Sequence, residues 1–209
     1  MFRNLFNPES HLMITMGRIT DHIFLSMFWM LCCIPVVTIG ASFAALYDAS
    51  YRAFRCNEKN TWKRFFGTFS RNWKAGILPT ILFLLVSAGL VKAVIGIWNL
   101  AVAGTISWML FSAGAFVAVV LLGIISLLFP VLSRFENSLL GLIKNTVFLG
   151  LANIPRTIGL GMLNAAALFA CAKLIIPLFF LPSLAALLGS RLIEPMFKPF
   201  MNTDENAAD

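Results

Sequence analysis

Long apolar stretches separated by short polar clusters run through the chain. Ile23 to Tyr47 holds 25 residues without an acidic or basic side chain, and Ala93 to Ser133 holds 41. A membrane-spanning helix needs about 20 such residues. Runs of this length predict an all-α, polytopic transmembrane helical bundle. Ala75 to Trp98 reads as one span. A turn over Asn99–Thr105, with Gly104, divides the long run that follows, so the next span covers Ile106–Leu132. Ile158 to Ile176 makes another. Pro177 and Pro182 bracket a turn, and a last helix covers Ser183–Phe197, with Arg191 and Glu194 towards its end.

The first apolar run is interrupted by CCIPVVTIGASF, Cys32 to Phe43. Proline inside a helix removes a hydrogen bond and clashes with the preceding turn. Upstream, His11, Thr15, Arg18, His22 and Ser26 recur at helical spacing, which starts a first helix near Ser10 and ends it at Cys33. Downstream, Thr38 or Ser42 can cap a new helix. Pro35, Thr38 and Gly40 are therefore expected to break a helical hairpin with its tip on the outer side. The hairpin predicts about six membrane helices with both termini inside. The alternative, one kinked span, predicts five with the N-terminus outside.

Charge assigns the sides. Arg52, Arg55, Lys59, Lys63, Arg64, Arg71 and Lys74 crowd the segment between Asp48 and Ala75. Such loops stay cytoplasmic, which places 99–105 and 177–182 outside and 133–156 inside. Trp98 and Trp108 then flank the outer turn, and Trp62 and Trp73 mark the inner boundary, where amphipathic rings prefer to sit. The chain is 59% hydrophobic and 12% charged, against about a quarter charged in an ordinary soluble domain. Residues 1–198 read as one membrane domain and 199–209 as an acidic, disordered tail. The net charge of +7 is spread between apolar runs as a topology signal, so no nucleic-acid partner is expected. The N-terminal residues lack the pattern of a signal peptide. Cys32, Cys33, Cys56 and Cys171 have neither zinc-site nor redox spacing.

The densest local pattern is TWKRFFGTFSRNWKAG, Thr61 to Gly76. Trp62, Phe65, Phe66, Phe69 and Trp73 repeat at helical spacing among Lys63, Arg64, Arg71 and Lys74. Such a helix buries aromatics at the lipid boundary and offers cations to anionic headgroups, or to a cytoplasmic partner. The segment from Phe135 to Asn153 is a weaker counterpart, and IPRTI after it echoes LPTI after the first. Lys92 and Lys173 stand alone in apolar runs. They either snorkel to headgroups or, with Asn164, face a cavity for a polar or anionic solute. Arg18, Asp21 and His22 can meet on one helix face. Gly161 with Ala165 and Gly114 with Ala118 favour close helix packing. No P-loop, H-E-x-x-H or G-x-S-x-G motif occurs, so no enzyme and no cofactor is expected.

LFNPES, the block RITDHIFLSMFWMLCCIPVVTIGASFAALYDASYR and FFGTFSRNWKAG together resemble the YesL family of small bacterial membrane proteins, a domain of unknown function. The resemblance covers residues 3–76 well and the remainder by hydropathy and length. It implies a link to carbohydrate uptake, because members are often encoded beside carbohydrate ABC transporters. It supplies no catalytic residues. The expectation is a non-enzymatic, multi-pass protein of the bacterial plasma membrane, accessory to a carbohydrate ABC transporter and touching its subunits through 61–76. The alternative is a small permease for a polar or anionic solute.

Overall fold

The structure is a computed structural model and describes residues 11–56, 60–134, 138–173 and 176–205. Among these, the regular elements are all helical: α1 (His11–Cys32), α2 (Ile39–Arg55), α3 (Thr61–Asn72), α4 (Ile77–Val102), α5 (Trp108–Ser126), α6 (Leu128–Arg134), α7 (Leu139–Ala152), α8 (Ile154–Lys173) and α9 (Leu181–Glu205).

Three stretches are long and apolar enough to cross a membrane: Ile77–Val102, Trp108–Arg134 and Ile154–Lys173. α4 is apolar all round and almost wholly exposed, with Leu78, Ile81, Leu85, Val91 and Ile95 on its surface. That is the surface of a helix solvated by lipid. It turns at Gly104, whose φ of 72° is left-handed and suits the residue without a Cβ. Ser107 caps α5 by accepting the Leu110 N–H. Trp98 packs edge-on against Trp108, with ring centroids 5.7 Å apart, at this turn. At the other end Phe83 meets Phe129 at 4.9 Å. α4 and the α5–α6 stretch therefore run antiparallel over their full length. We call the α3 end of this pair the basic end and the Gly104 end the far end.

α8 crosses α5 at backbone contact. A Cβ on Gly123 would overlap the Thr157 carbonyl, and one on Gly161 would overlap the Val119 carbonyl. The expected small-residue contact at Gly161 is thus present, and Gly123 supplies its counterpart. The expected echo between the two halves also appears. α3 leads into α4, and α7 into α8, each with a proline in the first turn of the longer helix, where its missing N–H costs nothing. Thr80 donates to the Gly76 carbonyl and Thr157 to that of Asn153. A glycine from another helix packs on each threonine, Gly40 on Thr80 and Gly123 on Thr157.

The hairpin break lies where expected. Residues 33–38 separate α1 from α2, and the helices are antiparallel: Trp29 packs on Phe43 at 5.1 Å and His22 stacks on Phe54 at 3.8 Å. A single kinked span does not describe this segment. The tip, however, is not at the far end. Gly40 donates its N–H to Thr80 Oγ1 at 2.8 Å. A Cβ there would lie 2.8 Å from the Gly76 carbonyl and 2.9 Å from Phe129. Gly76 and Thr80 open α4, so the tip sits at the basic end. Thr38 occupies the cap position, but its hydroxyl turns back to the carbonyls of Cys32 (2.6 Å) and Pro35 (2.7 Å). It ties the tip rather than capping α2.

Of the six expected membrane helices, α1, α2 and α9 fall outside the three candidate spans. α2 explains why. From Gly40 to Ser50 all but Phe43 are buried, and α1, α3, α4, α6 and α9 all pack on it. Its Gly, Ala and Ser residues let five neighbours approach closely. It is the hub of the basic end, and the charge-free stretch from Ile39 to Tyr47 reflects burial in protein rather than in lipid. α9 continues to Glu205, so the tail expected to be disordered from 199 begins as helix. Residues 206–209 lie outside the described residues.

Candidate functional site

α3 buries one face on α2. Phe65 is fully enclosed, Thr68 and Asn72 are buried, and Phe69 stacks on Phe65. Enclosing one phenylalanine is worth about 1.5–3 kcal/mol, and Phe65 is the main apolar anchor of this helix on α2. The nine residues singled out in 61–76 therefore divide. Phe65, Phe69 and Arg64 point inward. Arg71 reaches the Ser133 carbonyl at 3.3 Å and joins α3 to α6. The outward stripe is Trp62, Phe66 and Trp73, 59%, 42% and 46% exposed, flanked by Lys63 and Lys74. The Lys74 ammonium lies 5.4 Å from the Trp73 ring centre, a cation–π arrangement.

Beneath this stripe lies a charge network that the sequence reading did not single out. The Asp48 side chain on α2 is 1% exposed. It accepts hydrogen bonds from Arg64 Nε (2.7 Å), Thr68 Oγ1 (2.8 Å) and Arg52 Nε (3.1 Å). Burial alone would raise its pKa. The hydrogen bonds from Arg64 and Thr68, the Arg64 charge and the Arg52 hydrogen bond outweigh it and hold the carboxyl below its ordinary value. One residue earlier, the Tyr47 hydroxyl donates to Glu194 on α9 at 2.9 Å, and Arg134 at the end of α6 donates to the same carboxylate oxygen at 2.7 Å. The Arg134 guanidinium also covers the Tyr51 ring at 4.6 Å. α2, α3, α6 and α9 are thereby joined by charged groups. A signal was available: Asp48 is the only carboxylate between Asp21 and Glu58, and Glu194 the only one between Glu136 and Asp204.

Residues 23–92 match a family model described as "Protein of unknown function, DUF624". The matched segment is 70 of the 209 residues and covers the second half of α1, all of α2 and α3, and the first part of α4. It contains the hairpin break and the Asp48 network, but neither Arg134 nor Glu194. No curated protein and no solved structure matched the chain.

The remaining candidates are scattered. Lys92 is exposed on α4. Lys173 is exposed at the end of α8, with its ammonium 5.9 Å from the Phe169 ring centre. Asn164 is half-buried and donates to the Leu160 carbonyl at 3.0 Å. It lines a cavity of about 200 Å³ between the hairpin, α4, α5, α8 and α9, whose walls include neither lysine. The structure does not bring the three together. His22 accepts or donates at Ser183 (2.9 Å), which also bonds Ser26, so α1 is fixed to the start of α9. Asp21 borders a separate groove with Phe24, Phe28 and Trp62.

Proposed function

We propose that the chain is a non-enzymatic, multi-pass protein of the bacterial plasma membrane, related to the YesL family and accessory to a carbohydrate uptake system. The basic end faces the cytoplasm, and transporter subunits dock on α3. The supporting observation is the outward stripe of Trp62, Phe66 and Trp73 beside Lys63 and Lys74, carried on a helix whose other face is locked to α2. A rigid element presenting aromatics and cations suits both anionic headgroups and a protein partner. The link to carbohydrate uptake rests on the family resemblance.

Purification of a tagged copy in mild detergent tests this reading. The expected result is co-purification of transporter subunits, lost when Trp62 and Phe66 are both replaced by serine. Absence of any transporter subunit, with normal sugar uptake in a deletion strain, overturns it. The permease alternative gains from a cavity that holds Asn164. It loses from Lys92 and Lys173, which lie outside that cavity and so cannot attract an anionic solute into it.

A further inference from the structure

The cavity between α8 and α9 has a definite shape and chemistry. On α8 it runs along Leu160, Asn164, Ala167, Leu168 and Cys171, and on α9 from Pro182 to Ile193. Each series covers 11 residues of helix rise, about 16 Å. A volume of about 200 Å³ drawn out over that length makes a narrow slot, not a chamber. Small residues make the room: Ala167 on one wall, Ala185, Ala186 and Gly189 on the other. Dry apolar cavities of about 150 Å³ are known to take up benzene-sized molecules.

Two features indicate what enters. Tyr47 and Ile193 line the slot. The Tyr47 hydroxyl is held by Glu194, itself paired with Arg134, so that end is closed by a charge network. Leu168 lines the slot yet is 62% exposed, so the wall there is one side chain thick and faces the apolar exterior of the bundle.

We propose that the slot binds a single extended hydrocarbon chain, entering laterally past Leu168. A membrane phospholipid's ester-linked chain and a free fatty acid share this chemistry. This ligand class differs from the polar solute of the permease reading, and the proposal does not depend on transporter docking.

The test uses the full chain in lipid nanodiscs with two photoreactive probes, palmitic acid and a phosphatidylglycerol, each carrying a diazirine on the acyl chain. Cross-linked positions are mapped by mass spectrometry. Saturable labelling concentrated on α8 and α9 is expected, competed by unlabelled palmitate if the fatty acid is the occupant and only by phospholipid if the lipid is. Ala167→Phe, which fills the slot, should abolish that labelling and leave labelling of exposed α4 unchanged. Labelling spread evenly over α4, α5 and α8, or labelling indifferent to Ala167→Phe, overturns the proposal.

Discussion

Asp48 offers the sharpest test of how the basic end is held. Asp48→Ala removes the acceptor shared by Arg64, Thr68 and Arg52 and leaves the Thr68 hydroxyl buried. Removing one partner of a fully buried ion pair costs about 3–5 kcal/mol. Here the two arginine side chains are 35% and 30% exposed, so water recovers part of that loss. A destabilisation of about 2–3 kcal/mol is expected. Reversible unfolding in mixed micelles, followed by far-ultraviolet circular dichroism, measures it. In a double-mutant cycle with Arg64→Ala, the coupling should exceed about 1 kcal/mol, because the two groups touch. The sign of the pH dependence follows from the depressed pKa of Asp48. A carboxyl with a lowered folded pKa contributes its stability above the unfolded value, about 3.9, and loses it as pH falls through the folded one. The gap between wild type and Asp48→Ala should therefore be full at pH 6 and narrow below about pH 4. A variant within about 0.5 kcal/mol of wild type at pH 6, or a gap that does not change with pH, would refute the account.

Other outcomes follow from the packing. In a cysteine-free background, Val36→Cys at the hairpin tip should react with a membrane-impermeant thiol reagent from the same side as Asn60→Cys. Reaction from the side of Gly104→Cys would return the tip to the far end. Gly161→Leu should destabilise the bundle by more than about 2 kcal/mol, since its Cβ meets backbone that cannot yield; unchanged unfolding would place the α5–α8 crossing elsewhere. Thr38→Val should cost about 1 kcal/mol by freeing the tip carbonyls, read by faster proteolysis near residue 36, while Ser42→Ala serves as a milder control.

Much of the architecture can be read from the sequence because lipid imposes a simple rule. α4 and α5 are apolar all round, and their ends follow from Gly104, Ser107 and the two tryptophans beside them. The helix break at Pro35 is equally legible, since proline chemistry is local. What the sequence does not display is which neighbour covers an apolar residue. Gly40 to Tyr47 is as free of charge as a membrane span, and only the packing of five other helices on it reveals that protein encloses it. The same limit applies to the candidate site. The aromatic and basic periodicity of 61–76 identifies α3, but Arg64 and Lys63 are neighbours in sequence and opposites in role, one paired with the buried Asp48 and one exposed on the surface.

Hydropathy and charge therefore measure different things in this chain. A count of apolar runs assumes that each is solvated by lipid, and it yields six helices. The charges resist that assumption. Asp48, Arg52 and Arg55 occupy the same 17-residue helix as the Gly-Ala-Ser run, and Arg191 and Glu194 sit within α9. Crossing a bilayer with these groups would expose them to hydrocarbon or force neutralisation. The fold instead gathers Asp48 with Arg52 and Arg64, and Glu194 with Arg134, around α2 at one end of the three apolar spans. An ion pair that looks misplaced in a membrane helix is thus the mark of a helix that is not solvated by lipid, and the isolated carboxylates at 48 and 194 are the positions from which the hub can be recognised.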